Sequence, residues 1–417
     1  MGTIQTKIKC AKPALLREGV LKLPPVRYKH IVMGPLEGIR VLDLSLVVSG
    51  PFCTMMLGDL GADVIKIEPP EGDVSRYVTA DSRNGVGVSI VNYNRNKRAI
   101  LLDLKRPGAS EVFLRMAERS DAVVQNFRPG VVEKLGVGYA ATSARNRKVV
   151  YCSIAGYGFT GPYANKPAYD PIIQGLAGVM ASQRTQGRPR AVKNIIADKV
   201  TSMTAAYSIT AALIAVKSGG AGQHIEIAMM DAMAYFLMPD TMANRTFLPD
   251  KPGTLPSMGT LEPFQTADGF ITIAAIRDDQ WERLFAAAGH PEWFEGDEPR
   301  SERLRRGIKG LIELFPSKPS AHWLELVEAA DVPCTPVNDY DAIWSDPQFA
   351  ANQTFFEYEH PKAGRVRAVR SPARFSATAP ELWRHAPELG ENTDQILADC
   401  GFSSAEIAGL RAEQVVR

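Results

Sequence analysis

One acidic residue, Asp198, stands at the start of a long apolar run, IADKVTSMTAAYSITAALIAV, over residues 196–216. The run predicts a buried helix with Asp198 in its first turn. Aspartate is favoured at helix N-termini, where its carboxylate accepts hydrogen bonds from free backbone N–H groups. The positive end of the helix dipole would lower its pKa, and a carboxylate kept charged can also attack an activated acyl group. The pattern leaves both roles open, a helix cap and a covalent nucleophile.

Two basic segments follow neighbouring predicted strands and could contact phosphate groups. Guanidinium and ammonium groups are the side chains that meet phosphate oxygens, although a solvated basic loop has the same composition. Two such loops side by side favour a nucleotide-containing ligand. The first segment, NRNKRAILLDLK, carries Arg95, Lys97, Arg98 and Lys105; the second, NFRPGVVEKLG, carries Asn126, Arg128 and Lys134.

The elements that position these residues alternate between strand and helix. Short apolar runs predict strands, and the segments between them predict helices, one of which opens at Gly50–Pro51. This alternation predicts an α/β fold with a doubly wound, mostly parallel sheet, whose ligands bind beyond the carboxyl ends of the strands. The predicted strands are GIRVLDLS from residue 38, DVIKIEPP, RAILLDLK (98–105), DAVVQNF (121–127) and KVVYCSIAGYG (148–158).

Composition and missing motifs exclude several classes of function. The 48 basic and 46 acidic side chains give a net charge of +2, which disfavours a nucleic-acid partner. The five cysteines form no CxxC pair, which argues against a cysteine-based zinc site and predicts a reducing compartment. No GxGxxG follows the first strand, and no Walker, GxSxG or HExxH motif occurs. The sequence contains no run of about 18 apolar residues, so no membrane span is predicted.

Seven ordered motifs resemble the class III (CaiB/BaiF-type) CoA-transferases, a family that includes formyl-CoA transferase, succinate–hydroxymethylglutarate CoA-transferase and the 2-methylacyl-CoA racemases. The resemblance extends from about residue 35 to GENTDQIL at 390–397, nearly the whole chain. The motifs are PLEGIRVLDLS, SGPFCTMMLGDLGADVIKIE, NRNKRAILLDLK, VVQNFRPG, YCSIAGYGFTGP, AYDPIIQGLAG and GQHIEIAMMDA.

The resemblance implies a Rossmann-like large domain built from both ends of the chain, a smaller α+β domain, and an interlocked homodimer. CoA would bind the large domain, beside the partner's small domain. Together with the composition, it divides the chain into an N-terminal arm (1–33), the first part of the large domain (34–225), linkers and small domain (226–345), and a return to the large domain (346–417).

Site residues also follow from the resemblance. Asp198 takes the place of the catalytic nucleophile, and Asp170 that of a second acidic residue that helps to order it. Tyr169 stands where the racemases carry a histidine base, and Gly259 lies where the transferases carry a glycine-rich loop that shields the site. The CoA-binding positions fall on Val48, Leu102, Lys105, Asn126, Phe127, Arg128 and Lys134. Val48 and Pro69 stand where formyl-CoA transferase has a glutamine and an arginine, so a different carboxylate substrate or slightly altered CoA contacts are expected.

The expected activity is transfer of CoA from an acyl-CoA, such as succinyl-CoA, to a free carboxylic acid through aspartyl anhydride and aspartyl-CoA intermediates. Acyl-CoA is a substrate, and no metal, permanently bound cofactor, nucleic acid or membrane is expected to take part. Two alternatives stay open, a 2-methylacyl-CoA racemase or epimerase and a non-catalytic CoA-binding protein. Tyr169 disfavours the racemase because a phenol is a poor base near neutral pH. The expected location is the cytoplasm, or the mitochondrion if the basic arm is a transit peptide.

Overall fold

The computed structural model describes residues 21–22, 34–242, 245–249 and 262–417, so most of the predicted arm lies outside the described residues. The strands described are β1 (Leu21–Lys22), β2 (Arg40–Asp43), β3 (Asp63–Glu68), β4 (Ser82–Arg83), β5 (Val86–Gly87), β6 (Lys97–Leu101), β7 (Ala122–Gln125), β8 (Val150–Ala155), β9 (Gln223–Ala228), β10 (Phe264–Gln265), β11 (Phe270–Ile273), β12 (Cys334–Pro336), β13 (Phe355–His360) and β14 (Gly364–Val369).

The helices alternate with the strands in the first half of the chain and dominate later. Those described are α1 (Ser49–Asp59), α2 (Val88–Asn94), α3 (Ala109–Ala117), α4 (Val131–Lys134), α5 (Tyr139–Arg145), α6 (Asp170–Leu176), α7 (Val179–Ser182), α8 (Ile196–Lys217), α9 (Met229–Thr241), α10 (Asp278–Ala287), α11 (Arg300–Leu314), α12 (Ser320–Ala329), α13 (Ala342–Ser345), α14 (Pro347–Ala351), α15 (Thr393–Asp399) and α16 (Ser404–Ala412).

The main sheet has six parallel strands in the order β6-β3-β2-β7-β8-β9. Numbered along the chain from β2, this is the order 3-2-1-4-5-6 of a Rossmann fold. The predicted α/β class and doubly wound parallel sheet are therefore confirmed. The order reverses between β2 and β7, and a ligand crevice is expected beyond the carboxyl ends of these two strands.

Each face of the sheet is covered by helices, which is why its inner strands are buried along most of their length. Alternate side chains point to opposite faces, so neighbouring residues of one strand enter different cores. Val41 of β2 packs with Leu57 of α1 and Ile209 of α8. Leu42, the next residue, packs on the other face with Phe113 of α3. Helix α8 therefore lies on the same face of the sheet as α1.

Helix α8 is 22 residues long and only partly buried. Its length and composition would allow it to cross a membrane, but core helices of soluble proteins meet the same test. Ala205, Ile209 and Leu213 pack into the core that α8 shares with α1. The opposite face carries Met203, Tyr207 and Ile214, which are all more than half exposed. Helix α8 is thus a core helix with a second apolar face.

Contacts within the chain divide it into two compact units. The first contains the main sheet and comprises residues up to Pro239 and Ala351–Arg417. Its first segment runs past residue 225 because Met229 and Met233 of α9 pack into the core beside α8. The second unit, Asp240–Ala350, has an antiparallel sheet in the order β10-β11-β12, and its core includes Trp281, Phe285 and Trp323.

Residues late in the chain cover the outer edge of β6. Ala99 and Asn392 exchange backbone and side-chain hydrogen bonds, since Asn392 N–H donates to the Ala99 carbonyl and Ala99 N–H to Asn392 Oδ1. Leu102, just after β6, forms an antiparallel bridge with Val416, whose side chain is fully buried. An edge strand with free backbone groups is open to pairing with other chains, and these contacts close it.

Candidate active site

Two loops meet at the point where the strand order reverses, one after β2 and one after β7. Asn126, the first residue after β7, bridges them. Its Oδ1 accepts from Leu46 N–H at 2.9 Å, and its Nδ2 donates to the Leu46 carbonyl at 2.7 Å and to Ser49 Oγ at 3.2 Å. Both sides of the amide are therefore assigned by their partners, and the loop leading into α1 is tied to β7.

A buried ion pair between Lys66 and Asp73 also holds this loop. Val47 has φ +69, a left-handed conformation that is unfavourable for a β-branched residue. Its N–H donates to the carboxylate of Asp73 at 3.2 Å, and Lys66 Nζ lies 2.9 Å from the same carboxylate. Burial opposes ionisation of Asp73, but the ammonium group and hydrogen bonds prevail and lower its pKa to about 2. Val48 follows, buried, as the last residue before α1.

Asp198 lies beside the first residue of α1, Ser49, whose backbone and side chain both act to lower the pKa of its carboxyl group. Ser202, one turn further along α8, donates at 2.7 Å to the Ser49 carbonyl and lies 2.7 Å from the Asp198 carbonyl. Ser202 thus ties the start of α8 to the start of α1.

The N-terminus of α8 is capped by Asp170. Its Oδ2 accepts from Ala197 N–H at 2.7 Å and from Asp198 N–H at 3.1 Å, while its Oδ1 accepts from Gln174 Nε2 at 2.6 Å. Asp170 is only 3% exposed, and it begins α6. These bonds satisfy donors that a helix start leaves free. Asp170 therefore fixes the backbone from which the Asp198 side chain projects.

Asp198 is a weaker acid than its place on α8 predicts. Burial of the carboxyl group and the charge of Asp170 raise its pKa to about 7, although Ser49 acts in the opposite direction. The expectation of a lowered pKa is wrong. The free N–H groups of α8 are bonded to Asp170 instead, and the negative charge of that cap lies close to Asp198. Asp198 therefore changes charge near neutral pH.

The other predicted CoA-binding residues lie after β6 and β7. Since carboxyl ends of parallel strands share one sheet edge, both groups lie at the edge that carries Ser49. The Leu102 side chain is buried in the core, which leaves only its backbone to contact a ligand. Phe127 is half-buried against the same core. Exposed basic side chains at this edge belong to Lys105, Arg128 and Lys134.

The last two predicted site positions are Tyr169 and Gly259. Tyr169 directly precedes α6 and is 71% exposed, so its phenol is held by little of the first unit. Gly259 lies outside the described residues. Among the residues that are described, no group of three or more His, Cys, Asp or Glu side chains could hold a metal ion.

Most of the first basic segment is not available to a phosphate. Arg95 pairs with Asp59 at 2.6 Å, Lys97 with Asp43 at 2.9 Å, and Arg98 with Asp63 at 2.7 Å. All three basic side chains are buried. Interpreting these residues as a phosphate-contacting loop is therefore wrong, because their acidic partners come from elements 35 to 54 residues away in sequence. Only Lys105 of that segment stays exposed.

Sequence reasoning missed Ser202, which bonds the Asp198 and Ser49 carbonyls, and Gln174, which bonds the Asp170 carboxylate. It also missed Ser49. Serine and glutamine occur widely at such positions, so residue type carried little information. The one available signal was the predicted helix start at Gly50–Pro51, which places residue 49 where backbone N–H groups point outward. A carboxylate from elsewhere in the fold was the natural partner for such a helix start.

Comparison with known proteins agrees with this geometry. The family model described as CoA-transferase family III matches residues 36–393. A succinate–glutarate CoA-transferase of Agrobacterium fabrum is 34% identical over 88% of this chain and 95% of its own length. A succinyl-CoA:mesaconate CoA-transferase of Haloarcula hispanica is 33% identical over 89% and 98%.

A solved structure gives the same result. The crystal structure of a CaiB/BaiF family protein from Brucella suis superposes with a TM-score of 0.76 at 30% identity, covering 88% of this chain and 99% of its own. The match covers most of the chain, so fold and sequence point to one family. The chain belongs to CoA-transferase family III and is a CoA-transferase.

Proposed function

We propose that this CoA-transferase works through covalent intermediates on Asp198. The observation that carries the proposal is the position of its carboxyl group, which is half-buried in the first turn of α8, lies near Asp170 and has a pKa raised to about 7. A carboxylate is a competent nucleophile toward a thioester when it is desolvated and oriented. Asp170 orients Asp198 by accepting a hydrogen bond from its backbone N–H.

The proposed reaction proceeds by exchange of acyl groups. Ionised Asp198 attacks the donor thioester carbonyl; a C–O bond forms, the C–S bond breaks, and CoA leaves as a thiolate. The thiolate attacks the aspartyl carbonyl of this anhydride, giving an aspartyl-CoA thioester and the free donor acid. The acceptor carboxylate then displaces CoA to form a second anhydride. Attack of the thiolate on the acceptor carbonyl releases the new acyl-CoA and Asp198.

We further propose that a dicarboxylic acyl-CoA such as succinyl-CoA is the donor. The names of the relatives from Agrobacterium and Haloarcula specify succinate with glutarate and succinyl-CoA with mesaconate. The test is a panel of acyl-CoA donors against mono- and dicarboxylic acids, with new thioesters detected by mass spectrometry. We expect succinyl-CoA with a dicarboxylic acceptor to give the highest kcat/KM, and a clear preference for monocarboxylic pairs would contradict this assignment.

One control in the panel separates transfer from racemisation. A chiral 2-methylacyl-CoA incubated in deuterated water should take up no deuterium at the α-carbon, since the proposed chemistry touches only carbonyl carbons. Uptake of deuterium without new thioesters would favour the racemase. Tight CoA binding with neither reaction would favour a non-catalytic protein.

The position of CoA is proposed from the sheet edge. Lys105 and the backbone at Leu102 would contact the adenine side, while Asn126, Phe127, Arg128 and Lys134 would lie along the rest of the molecule, with Val48 beside them. The exposed ammonium and guanidinium groups after β6 and β7 suit the phosphates of CoA. The Asn126 amide already bonds Leu46 and Ser49, so its part in CoA binding would come through the loop it holds.

We propose that the protein is a homodimer, threaded as the family resemblance implies. Helix α8 exposes Met203, Tyr207 and Ile214 on one face, and α9 exposes Tyr235 and Phe236. Monomeric proteins rarely expose contiguous apolar surface of this kind, and a second copy would cover it. Light scattering should give twice the 45.5 kDa chain mass, unchanged on dilution because threaded chains separate only by unfolding. A monomer at assay concentration would contradict the proposal.

The pH dependence of turnover tests the ionisation of Asp198. Because only the carboxylate attacks, log kcat/KM should fall with unit slope as the pH drops below about 7. Asp170→Asn removes the nearby negative charge, so the acid limb should move to lower pH. The same change presents an NH₂ group to the N–H donors of α8 or to Gln174, and should cost about 1–3 kcal/mol of stability. An unshifted limb in D170N would show that Asp170 does not control Asp198.

A further inference from the structure

We propose that Asp73 is a positioning residue for CoA transfer, which holds the loop before α1 in the conformation that receives acyl-CoA. The loop comprises residues 45–48 and leads from β2 into α1. This role rests on the proposed position of CoA, which places Val48 beside the ligand. No sequence motif pointed to Asp73, because its role depends on a backbone N–H group 26 residues earlier.

Side chains from other parts of the fold hold the first half of this loop. Ser45 N–H donates to Asp43 Oδ1 at 3.0 Å, and the Ser45 carbonyl accepts from Lys66 Nζ at 3.1 Å. The N–H and carbonyl of Leu46 both bond the Asn126 amide. The backbone of a loop outside the sheet is therefore fixed group by group.

Val47 is the strained residue of the loop, and Asp73 holds it there. Its φ of +69 lies in the left-handed region, which disfavours a β-branched side chain. Its N–H donates to both oxygens of Asp73, at 3.2 and 3.3 Å. The same buried carboxylate accepts from Ser75 N–H and Lys66 Nζ, each at 2.9 Å. Such strain persists only where the surroundings hold it, and here the Asp73 carboxylate does so.

Asp73 can hold the loop because it is itself tied to the main sheet. Its N–H donates to Glu68 Oε1 at 2.9 Å, and Glu68 pairs with Arg76 at 2.6 Å. Both Glu68 and Lys66 belong to β3, an inner strand that pairs with β2 and β6. The carboxylate thus has a fixed position relative to β2, from which the loop starts.

Loss of this acceptor should weaken acyl-CoA binding more than the chemical step. Val47 could then relax to negative φ, so that the binding conformation becomes a minor state. Apparent affinity falls in proportion to the population of that state. The usual cost of a left-handed residue corresponds to a rise in KM of about 5- to 30-fold. At saturating acyl-CoA the ligand selects the same loop conformation, so kcat should stay within about twofold.

The test is Asp73→Ser, with KM and kcat measured for the best donor and acceptor pair. Serine is a good cap for Ser75 N–H, but its shorter side chain withdraws the acceptors of Val47. We expect the rise in KM given above, with kcat nearly unchanged. A parent-like KM in D73S would overturn the inference.

Val47→Gly in the D73S background separates positioning from structural damage. Glycine adopts positive φ about as readily as negative φ, so the loop no longer needs Asp73 to stay left-handed. The KM of V47G/D73S should return to within about threefold of that of V47G. Its melting temperature should stay lowered, since Lys66 still lacks its partner. A KM raised equally in D73S and V47G/D73S would contradict a positioning role.

Asp59→Asn is the matched control for loss of a buried carboxylate. Asp59 pairs with Arg95 at 2.6 Å, at the opposite end of α1 from the loop. D59N should lower the melting temperature and leave KM unchanged; a KM raised as in D73S would assign both effects to general damage.

Val47→Pro decides the matter if D73S does not fold. Proline fixes φ at about −65° and removes the N–H, while Asp73 and Lys66 stay in place. The KM of V47P should exceed that of V47G by about fivefold or more, and equal values would overturn the inference.

Lys105→Met distinguishes failure of this role from failure of the proposed CoA position. A KM raised in K105M but not in D73S would leave CoA at the sheet edge and refute the role of Asp73. A KM unchanged in both variants would refute the CoA position as well.

Discussion

Replacing Asp198 by asparagine is expected to abolish CoA transfer while leaving the protein folded. The amide has nearly the same shape, but it cannot form the aspartyl anhydride. Loss of a covalent nucleophile lowers kcat by about 10³-fold or more. The measurement is new thioester formed from the best donor and acceptor pair, together with mass analysis of the protein for a CoA adduct.

The same variant should be more stable than the parent at neutral and alkaline pH. The folded-state pKa of Asp198 is about 7, above the ordinary value of 3.8. Between these values the folded protein binds a proton that the unfolded chain does not, so stability falls as pH rises through this range. Above pH 7 the destabilisation is complete, and D198N removes it.

Melting temperatures at two pH values provide the control for that loss of activity. The melting temperature of D198N should exceed that of the parent at pH 8, and the two should agree near pH 4. A D198N protein with near-normal turnover would refute the nucleophile assignment. Inactivity with a lowered melting temperature would mean that structural damage, rather than lost chemistry, explains the result.

The second large effect is expected at Lys97, which the basic pattern pointed to as a ligand contact. Its ammonium group is fully buried and donates to Asp43 Oδ2, the Pro51 carbonyl and Asn94 Oδ1, each within 2.9 Å. Lys97→Met leaves these three acceptors without that donor. Removing one partner of a buried ion pair costs about 3–5 kcal/mol. We expect the urea midpoint to fall by an amount equivalent to this loss in the free energy of unfolding, with the m-value unchanged.

Lys105→Met is the matched control, since it removes a positive charge from the same segment at an exposed position. Its stability should stay within about 0.5 kcal/mol of the parent, and its KM for acyl-CoA should rise. For K97M we expect the reverse, a large loss of stability and an unchanged KM at a temperature where it stays folded. If K97M kept the parent's midpoint and raised KM, Lys97 would belong to the ligand site after all.

The contrast between Lys97 and Lys105 shows what sequence patterns could predict here. Alternating apolar runs with turn residues between them sufficed for the parallel sheet, because strand and helix periodicity are local properties. Ion pairing is not local. Asp43, the partner of Lys97, lies 54 residues earlier, and only the adjacency of β2, β3 and β6 brings the two together.

The candidate site also combines features that the local sequence reveals with features that only the fold brings together. Asp198 was singled out by its own surroundings, as an acidic residue opening an apolar helix, but its nucleophilic role came from the family resemblance. Its pKa could not be found in this way, since it depends on Asp170, which is 28 residues earlier and caps α8. Ser49 gave no signal as a lone serine, and Asn126 becomes its neighbour only because β2 and β7 pair.

The closure of the β6 edge has a consequence for synthesis on the ribosome. Leu102 bridges Val416, so the residue that completes this edge is made more than three hundred residues after the strand itself. At 5–20 residues per second, the nascent sheet waits on the order of 15–60 seconds with an open edge. Contacts so distant in sequence also slow folding. The newborn chain is therefore most exposed to aggregation in that interval, and holdase chaperones that shield the β6 edge should raise the yield of active enzyme.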